Sequence, residues 1–279
     1  MLAEWMAEYQ IHSAKDELNA RREIFQEITL AGLSRGKFFE KASFYGGTAL
    51  RIFYGLDRFS EDLDFTLNEA DKDFSLASFL QHIKNEFQLL GLNVSLQYKS
   101  NNGERQIDSA FLKSDTVLAD LSIFDKNNLI KTLKIKIEVD TIPPLKFEVE
   151  PKLLFRPYSF YVNVLKKEYL FAGKLHALLF RNWKKRVKGR DWYDFEWYIL
   201  NRIPLNITHF AERAYQSGSI SEKNITSSQI VGMIIDKIDQ VNMDDVKLDV
   251  ERFIASTQKL DIWSRQYFKD LVAHIKFTE

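Results

Sequence analysis

The chain has 279 residues, of which 45% are hydrophobic and 28% are charged, and Lys plus Arg equals Asp plus Glu at 39 each. This length fits one large or two modest domains, and 22 Phe, 11 Tyr and 5 Trp residues can build a sizeable core. The lack of cysteine excludes disulfides, thiolate metal sites and a cysteine nucleophile, and it fits a reducing cytoplasm. Zero net charge argues against a protein that coats nucleic acid non-specifically.

No membrane segment is expected. The N-terminal sequence MLAEWMAEYQIHSAKDE carries acidic residues and lacks the cationic start and apolar run of a signal peptide. No uncharged apolar stretch approaches the 18 residues or so that a transmembrane helix needs. We therefore expect a cytoplasmic protein.

In chain order, short β-like runs alternate with helical stretches up to about residue 165. The predicted strands are 43–45, 62–67, 93–99, two runs within 110–124, and 133–140. After residue 165 the spacing of apolar residues becomes helical, with predicted helices at 168–181, 191–200, 206–217, 226–240, 243–255 and 261–276. The sequence therefore predicts an α+β fold with a mixed sheet.

This change of periodicity divides the chain into two domains. Residues 1–165, with a helical lead-in at 1–42, form the predicted α+β domain, and residues 166–279 form a helical domain. Pro143, Pro144, Pro151 and Pro157 fall near the change, where prolines would stiffen a connection.

The most informative segment is FYGGTALRIFYGLDRFSEDLDF, residues 44–65. Gly46 and Gly47 end a short strand and precede a helical pattern, so the backbone can approach a ligand where the helix N-terminus favours a phosphate. Thr48 adds a hydroxyl donor. The alternative is a simple strand–turn–helix junction with Thr48 as the N-cap.

Asp62 and Asp64 are two residues apart on a predicted strand, so both carboxylates project from one face while Leu63 enters the core. Such a pair of like charges sits in water or binds a divalent cation, and oxygen ligands indicate Mg²⁺ or Mn²⁺. The alternative is a solvated edge strand.

GGTALR followed by RFSEDLDF resembles the first motif of the DNA-polymerase-β-like nucleotidyltransferase superfamily, and within it the AbiEii/AbiGii toxin family of bacterial toxin–antitoxin and phage-defence systems. The resemblance continues through LFAGKLHALLFR at 170–181 and KGRDWYDFEWY at 188–198. Thr48 stands where many superfamily members carry Ser, so the hydroxyl is retained.

The resemblance implies a metal-dependent enzyme that transfers a nucleoside monophosphate from an NTP to an acceptor hydroxyl. The implied acceptor is RNA, with the 3′ end of tRNA as the leading candidate, and the implied partner is an antitoxin encoded nearby. The same site could instead transfer the nucleoside monophosphate to a protein hydroxyl. Two other classes remain open: a nucleotide-binding regulatory protein without turnover, and a helical RNA-binding module.

The superfamily's metal site needs a third carboxylate on a neighbouring strand. Glu138 and Asp140 share one face of the strand predicted at 133–140 and compete for this role. We favour Asp140, at the end of the strand, and Asp120 on the preceding strand is the fallback. An exposed edge of alternating charges is the alternative.

By resemblance, Lys174 is the family's functional lysine. Lys174, Leu178 and Arg181 follow helical spacing, so we expect Arg181 to share the lysine's face and to contact the triphosphate with it. A solvated amphipathic face is the alternative.

The densest basic cluster follows, and we expect it to hold the acceptor RNA, with Trp183, Trp192 or Tyr193 stacking on a base. Its members are Lys184, Lys185, Arg186, Lys188 and Arg190. A solvated loop explains the cluster equally well. The resemblance gives Asp191 a functional role and Asp194 a weaker claim, the alternative for both being the start of a helix.

Overall fold

The computed structural model describes residues 1–99, 107–114, 133–181, 187–254 and 256–279. Within these ranges the chain forms ten α-helices, three short 3-10 turns and nine strands, seven of them in one mixed sheet. The prediction of an α+β fold with a mixed sheet is confirmed. In the same ranges, no helix combines the length and the apolar character needed to cross a bilayer.

The chain divides into two compact units. The first contains residues 1–49, 59–143 and 151–164, and the second contains residues 50–58, 144–150 and 165–279. The prediction placed one boundary at residue 165. The second unit also includes two short segments from before that boundary, residues 50–58 and 144–150.

The seven-stranded sheet has the order β3-β4-β5-β2-β1-β7-β6. Its strands are β1 Ala42–Tyr45, β2 Leu63–Leu67, β3 Ser95–Lys99, β4 Ile107–Ser114, β5 Leu133–Asp140, β6 Val149–Leu154 and β7 Phe160–Leu165. β2 lies between β5, to which it is parallel, and β1, to which it is antiparallel. The acidic segment, Asp62 to Asp64, therefore lies at the centre of the sheet. The predicted strands at 43–45, 62–67, 93–99 and 133–140 are thereby confirmed, and most of the second run within 110–124 lies outside the described residues.

Two strands, β6 and β7, were not predicted, because the prolines between residues 143 and 157 suggested a connection. Pro151 lies inside β6. β6 is the last strand of the sheet order, and a proline is tolerated on an edge strand because its missing N–H needs no ladder partner. The segment is therefore part of the sheet.

The first unit packs helices and phenylalanines against this sheet. The helices that begin in it are α1 Leu2–Met6, α2 Ala14–Arg35, α3 Gly46–Tyr54 and α4 Ala77–Leu89. α1 and α2 supply the predicted helical lead-in, and Ser13 caps α2 by accepting from the Asp16 N–H at 3.2 Å. Phe38 meets the rings of Phe65 and Phe79 edge to face, with centroids 4.9 and 5.1 Å away.

The second unit is mainly helical. Its helices are α5 Lys167–Phe180, α6 Gly189–Leu200, α7 Ile207–Gln216, α8 Ser227–Gln240, α9 Met243–Val250 and α10 Arg265–Val272, with a small pair of strands, β8 Leu205–Asn206 and β9 Phe277–Thr278. Polar cap residues open several of these helices, and Thr226 and Gln229 form a capping box at α8. Phe171 of α5 stacks on Tyr198 of α6 with a centroid distance of 4.5 Å, so these two helices are held face to face.

Candidate active site

The turn between β1 and α3 brings the backbone against a carboxylate. Gly46 has a φ of +85°, a conformation that favours glycine. A Cβ atom at Gly46 would lie 2.5 Å from Oδ2 of Asp64. Within the first unit, the backbone at Gly46 therefore lies close to the Asp64 side chain. The predicted approach of this backbone to a ligand stays a prediction.

Thr48 ties this turn to the acidic segment. Its side chain is buried, and its hydroxyl donates a hydrogen bond to the main-chain carbonyl of Asp62. Since α3 begins at Gly46, Thr48 is the third residue of the helix and is not its N-cap. In this structure the hydroxyl fixes the backbone of Asp62, while its oxygen keeps lone pairs that can accept.

The acidic segment has the predicted alternation. Leu63 and Phe65 are fully buried, while Asp62 and Asp64 are partly exposed. Asp64 lies within β2, and Asp62 directly precedes the strand. The acidic face of this central strand is thus the face that is not used for the core.

The register of the sheet bears on the third carboxylate. Glu138 of β5 is the partner of Asp64, whereas Asp140 is the partner of Thr66. Paired residues on neighbouring strands point to the same face, so Glu138 is the nearer neighbour of Asp64. The register favours Glu138, although the sequence led us to favour Asp140, and the fallback Asp120 lies outside the described residues.

Each of these two carboxylates has a local partner. Lys136 Nζ lies 2.5 Å from Glu138 Oε1, and Asp140 Oδ1 accepts from the Ile142 N–H at 3.2 Å. Among the described residues, no group of three or more His, Asp or Glu side chains is placed to hold a metal. Mg²⁺ in phosphoryl-transfer sites is held by one or two carboxylates together with substrate phosphates, and Asp62 and Asp64 fit that smaller donor set.

The second unit holds a buried charge cluster, which we define as Arg58, Lys174, Asp191 and Asp194. Lys174 Nζ lies 2.9 Å from Asp191 Oδ1 and 2.8 Å from Asp194 Oδ2. Arg58 donates from Nε and Nη2 to the two oxygens of Asp194, both at 2.6 Å. The side chains of Arg58 and Asp194 are 2% and 0% exposed, and that of Lys174 is 15% exposed.

The buried charge cluster contains two cations and two carboxylates and is therefore neutral. Burial alone would raise the pKa of Asp194, but Arg58 and Lys174 outweigh burial and lower it. Burial alone would lower the pKa of Lys174, but Asp191 and Asp194 outweigh burial and raise it. Lys174 is thus held as an oriented ammonium ion.

The start of α6 positions the two aspartates. α6 begins at Gly189, so Asp191 is the third helical residue and not the N-cap. A Cβ atom at Gly189 would overlap the main-chain carbonyl oxygen of Val246, and the Gly189 N–H donates to Asp249 Oδ2 at 2.9 Å. α9 therefore fixes where α6 starts. The three-residue spacing of Asp191 and Asp194 then turns both toward Lys174.

Arg181 is the residue that ends α5. Its N–H donates to the Ala177 carbonyl at 3.2 Å and its φ is −65°, so its Cβ continues the helical spacing from Lys174, while its ψ of 118° turns the chain away from the helix after it. The geometry is compatible with the predicted shared face, and contact of Arg181 with a triphosphate stays a prediction.

The basic cluster is described only in part. Lys184, Lys185 and Arg186, with Trp183, lie outside the described residues. Lys188 is the N-cap residue of α6, and the Arg190 guanidinium lies 4.0 Å from the centroid of the Phe253 ring.

Two of the aromatic residues proposed to stack on a base are core residues. Trp192 and Tyr193 are buried, and the Tyr193 hydroxyl donates to Asp57 at 2.6 Å. The stacking prediction was wrong for these two side chains, because the helix turns them into the core.

The family model described as "Nucleotidyl transferase AbiEii toxin, Type IV TA system" matches residues 28–273. The chain belongs to the AbiEii nucleotidyltransferase toxin family. The recognition made from the Gly-Gly-Thr turn and the Asp-Leu-Asp strand is thereby confirmed.

Two solved structures have the same fold as this AbiEii chain. JHP933 from Helicobacter pylori is 17% identical, covers 91% of this chain and 90% of its own, and has a TM-score of 0.54. MenT4, a nucleotidyltransferase toxin from Mycobacterium tuberculosis, is 14% identical, covers 99% of this chain and 98% of its own, and has a TM-score of 0.55. No curated protein matches the sequence.

Sequence reasoning gave no role to Arg58, although it lies inside the RFSEDLDF motif of this AbiEii chain. Its partner Asp194 is 136 residues away in the sequence. Asp249, which accepts from the start of α6, was missed as well. Neither residue is marked by the spacing of the sequence, because the role of each depends on a distant partner.

Proposed function

We propose that this chain is a metal-dependent nucleotidyltransferase that transfers a nucleoside monophosphate from an NTP to a hydroxyl of an acceptor RNA, with the 3′ end of tRNA as the leading candidate. The observation that carries this proposal is the acidic face of β2. Leu63 and Phe65 anchor the strand in the core, while Asp64 lies against Gly46 at the start of α3.

The register favours Glu138 as a third carboxylate, but the described residues hold no preformed group of three. The proposed metal ligands are therefore Asp62 and Asp64. Their like charges, placed on one face of a central strand, are the kind of oxygen donor set that suits a hard divalent cation. When bound, Mg²⁺ or Mn²⁺ would neutralise charge on the triphosphate and lower the pKa of the acceptor hydroxyl.

Lys174 is proposed to donate to a phosphate oxygen. An ammonium group has three donors, and Asp191 and Asp194 take two of them at 2.9 and 2.8 Å. One donor is left, and the side chain is 15% exposed. Because two carboxylates hold the ammonium, little reorganisation would be needed when charge develops on a leaving group.

The proposed reaction is an in-line displacement. The acceptor oxygen forms a bond to the α-phosphorus while the bond from that phosphorus to the leaving pyrophosphate breaks, and the hydroxyl proton is released. Such a transfer depends on positioning and charge neutralisation more than on covalent help from the protein. The main-chain N–H groups of Gly46 and Gly47 at the start of α3 suit a phosphate.

The test is label transfer from each α-labelled NTP, with Mg²⁺, to total cell RNA or to total cell protein. We expect label on RNA, and label on protein alone would show a protein acceptor. Replacing both Asp62 and Asp64 by asparagine should abolish transfer and growth inhibition. Lys174→Ala should lower the rate constant by about 10²–10³-fold, the usual cost of removing one preorganised donor.

The chain offers a matched control for the acidic pair. Asp71 and Asp73 have the same spacing on an exposed loop of the same unit. Their double asparagine variant should transfer label as the wild type does. A folded Asp62→Asn and Asp64→Asn double variant with undiminished transfer would overturn the metal assignment, and no transfer by wild type to either acceptor would overturn the proposed activity.

A further inference from the structure

A cavity of about 630 Å³ lies within the second unit, among the end of α5, the start of α6, the end of α8 and the start of α9. Its volume falls in the range of ligand pockets, about 300–1,000 Å³. Asp191, which holds Lys174, is one of the residues that line it. The cavity therefore reaches one member of the buried charge cluster.

Three elements bring cations to this cavity. Arg181 follows α5, Lys188 precedes α6, and Lys237 lies in the last turn of α8. Among the described lining residues the carboxylates are Asp191 and Asp245, and Asp191 is already matched by Lys174 at 2.9 Å. Positive charge is therefore in excess around the cavity.

One of these cations, Lys188, lies near two other positive charges. Burial lowers the pKa of Lys188, and the positive charges of Arg190 and Arg181 lower it further. An anion in the cavity would relieve this repulsion. The N-terminus of the twelve-residue helix α6, with Lys188 as its N-cap residue, lies at the same place and favours negative charge.

We propose that this cavity binds a phosphate group of a nucleotide substrate and that Lys237 is one of its ligands. The inference rests on the proposed function, because it names the part of the chain that binds the nucleotide's phosphate next to Asp191. No resemblance and no sequence motif points to Lys237. Within the part of the chain that the structure describes, its ammonium makes no hydrogen bond or ion pair with a protein group.

The phosphate has two possible sources, the triphosphate of the NTP and the phosphodiester backbone of the acceptor, and binding measurements separate them. The full chain would be titrated in EDTA, where no transfer occurs, with a fluorescent NTP analogue and separately with a fluorescent single-stranded RNA of mixed sequence. Lys237→Gln should weaken binding of at least one probe about two- to fivefold at low salt, as expected for a partly exposed charge pair.

The salt dependence gives a second measurement. If Lys237 contacts an RNA phosphate, its loss should reduce the slope of log affinity against log salt by about 0.7, the value for one contact on a single strand. Lys237→Arg keeps the charge and should bind nearly as the wild type does. Lys247→Gln is the matched control, because Lys247 is also a half-buried lysine in the last turn of a helix but does not line the cavity.

The outcomes separate this inference from the proposed transfer. If the wild type transfers no label but Lys237→Gln still weakens probe binding, the result would support the phosphate site in the cavity and overturn the proposed transferase activity. Wild-type affinity for both probes in Lys237→Gln and Lys188→Gln would overturn the cavity, whether or not label is transferred. Failure of the wild type to bind either probe would overturn it as well.

Discussion

The strongest energetic consequence of the structure concerns the Arg58–Asp194 pair. The Arg58→Met variant would leave the Asp194 carboxylate, 0% exposed, with Lys174 as its remaining cation in the buried charge cluster. Asp191 shares that lysine, so two buried carboxylates would face one ammonium. Breaking a buried pair by removing one partner costs about 3–5 kcal/mol of unfolding free energy, and we expect a loss in this range.

The double variant Arg58→Met with Asp194→Leu tests whether the loss comes from the unpaired charge. It leaves Lys174 and Asp191 as a neutral pair. Replacing a buried ion pair by apolar side chains is often neutral or stabilising, so the double variant should be more stable than Arg58→Met. We expect an interaction energy of about 2 kcal/mol or more from the double-mutant cycle.

The chain offers an exposed pair of the same length as a control. Lys269 Nζ lies 2.6 Å from Asp239 Oδ1, and these side chains are 34% and 50% exposed. Lys269→Met should cost less than about 1 kcal/mol, because exposed pairs contribute little. Burial, and not the distance between charges, therefore accounts for the expected difference.

Urea unfolding followed by tryptophan fluorescence measures these changes. Trp192, Trp197 and Trp263 belong to the same unit as Arg58 and Asp194, so the signal reports on the unit that is perturbed. If Arg58→Met cost no more than Lys269→Met, the reasoning from burial would be refuted.

Two further predictions concern the first unit and a matched glycine. Gly46→Ala should cost about 1–3 kcal/mol through its positive φ and should also weaken Mg²⁺ binding, since the new Cβ would displace Asp64. Gly55, with a φ of +79° and open space around an added Cβ, is the control: Gly55→Ala should lose stability but keep its affinity for Mg²⁺. Calorimetric titration measures Mg²⁺ binding, and equal affinity in the two variants would contradict the predicted effect of Gly46→Ala on Asp64. Burial raises the pKa of Glu27 from 4.5 to about 7, so the folded chain binds this proton more tightly than the unfolded chain. Stability should therefore fall by roughly 2–3 kcal/mol between pH 5 and pH 8 from this group, and thermal or urea unfolding of Glu27→Gln across that range should show a flatter pH profile.

The parts of the fold that were predicted well are those in which burial alternates with exposure along the chain. β5, Leu133–Asp140, has its predicted bounds because four buried residues alternate with four partly or fully exposed ones. The helices after residue 165 were found because their apolar faces follow the helical period. β6 was missed because Pro151 weakens its strand signal, and no sequence pattern states that a strand will be at the edge of a sheet. β7 was missed although its buried residues alternate at its start, because the segment before it was interpreted as a connection.

The candidate site also contains residues that one strand's pattern reveals and residues that depend on the rest of the fold. Asp62 and Asp64 could be found from the sequence, since two residues on one strand define a face without any knowledge of the rest of the fold. Their neighbour Glu138 could be narrowed to two candidates but not chosen, because the choice between Glu138 and Asp140 depends on the register of β2 against β5. Register is set by packing across the sheet, which a single strand's sequence does not contain.

Asp194 had a weaker claim than Asp191 in the sequence, yet it is the most deeply buried member of the charge cluster. The three-residue spacing shows that both aspartates share a helical face, but it does not show what that face meets. Arg58 decides the matter, because its two donors engage both oxygens of Asp194 and leave Lys174 to bridge the two aspartates. A carboxylate that accepts from two cations in a buried cluster orients the lysine, so the residue with the weaker motif signal fixes the geometry of the residue with the stronger one.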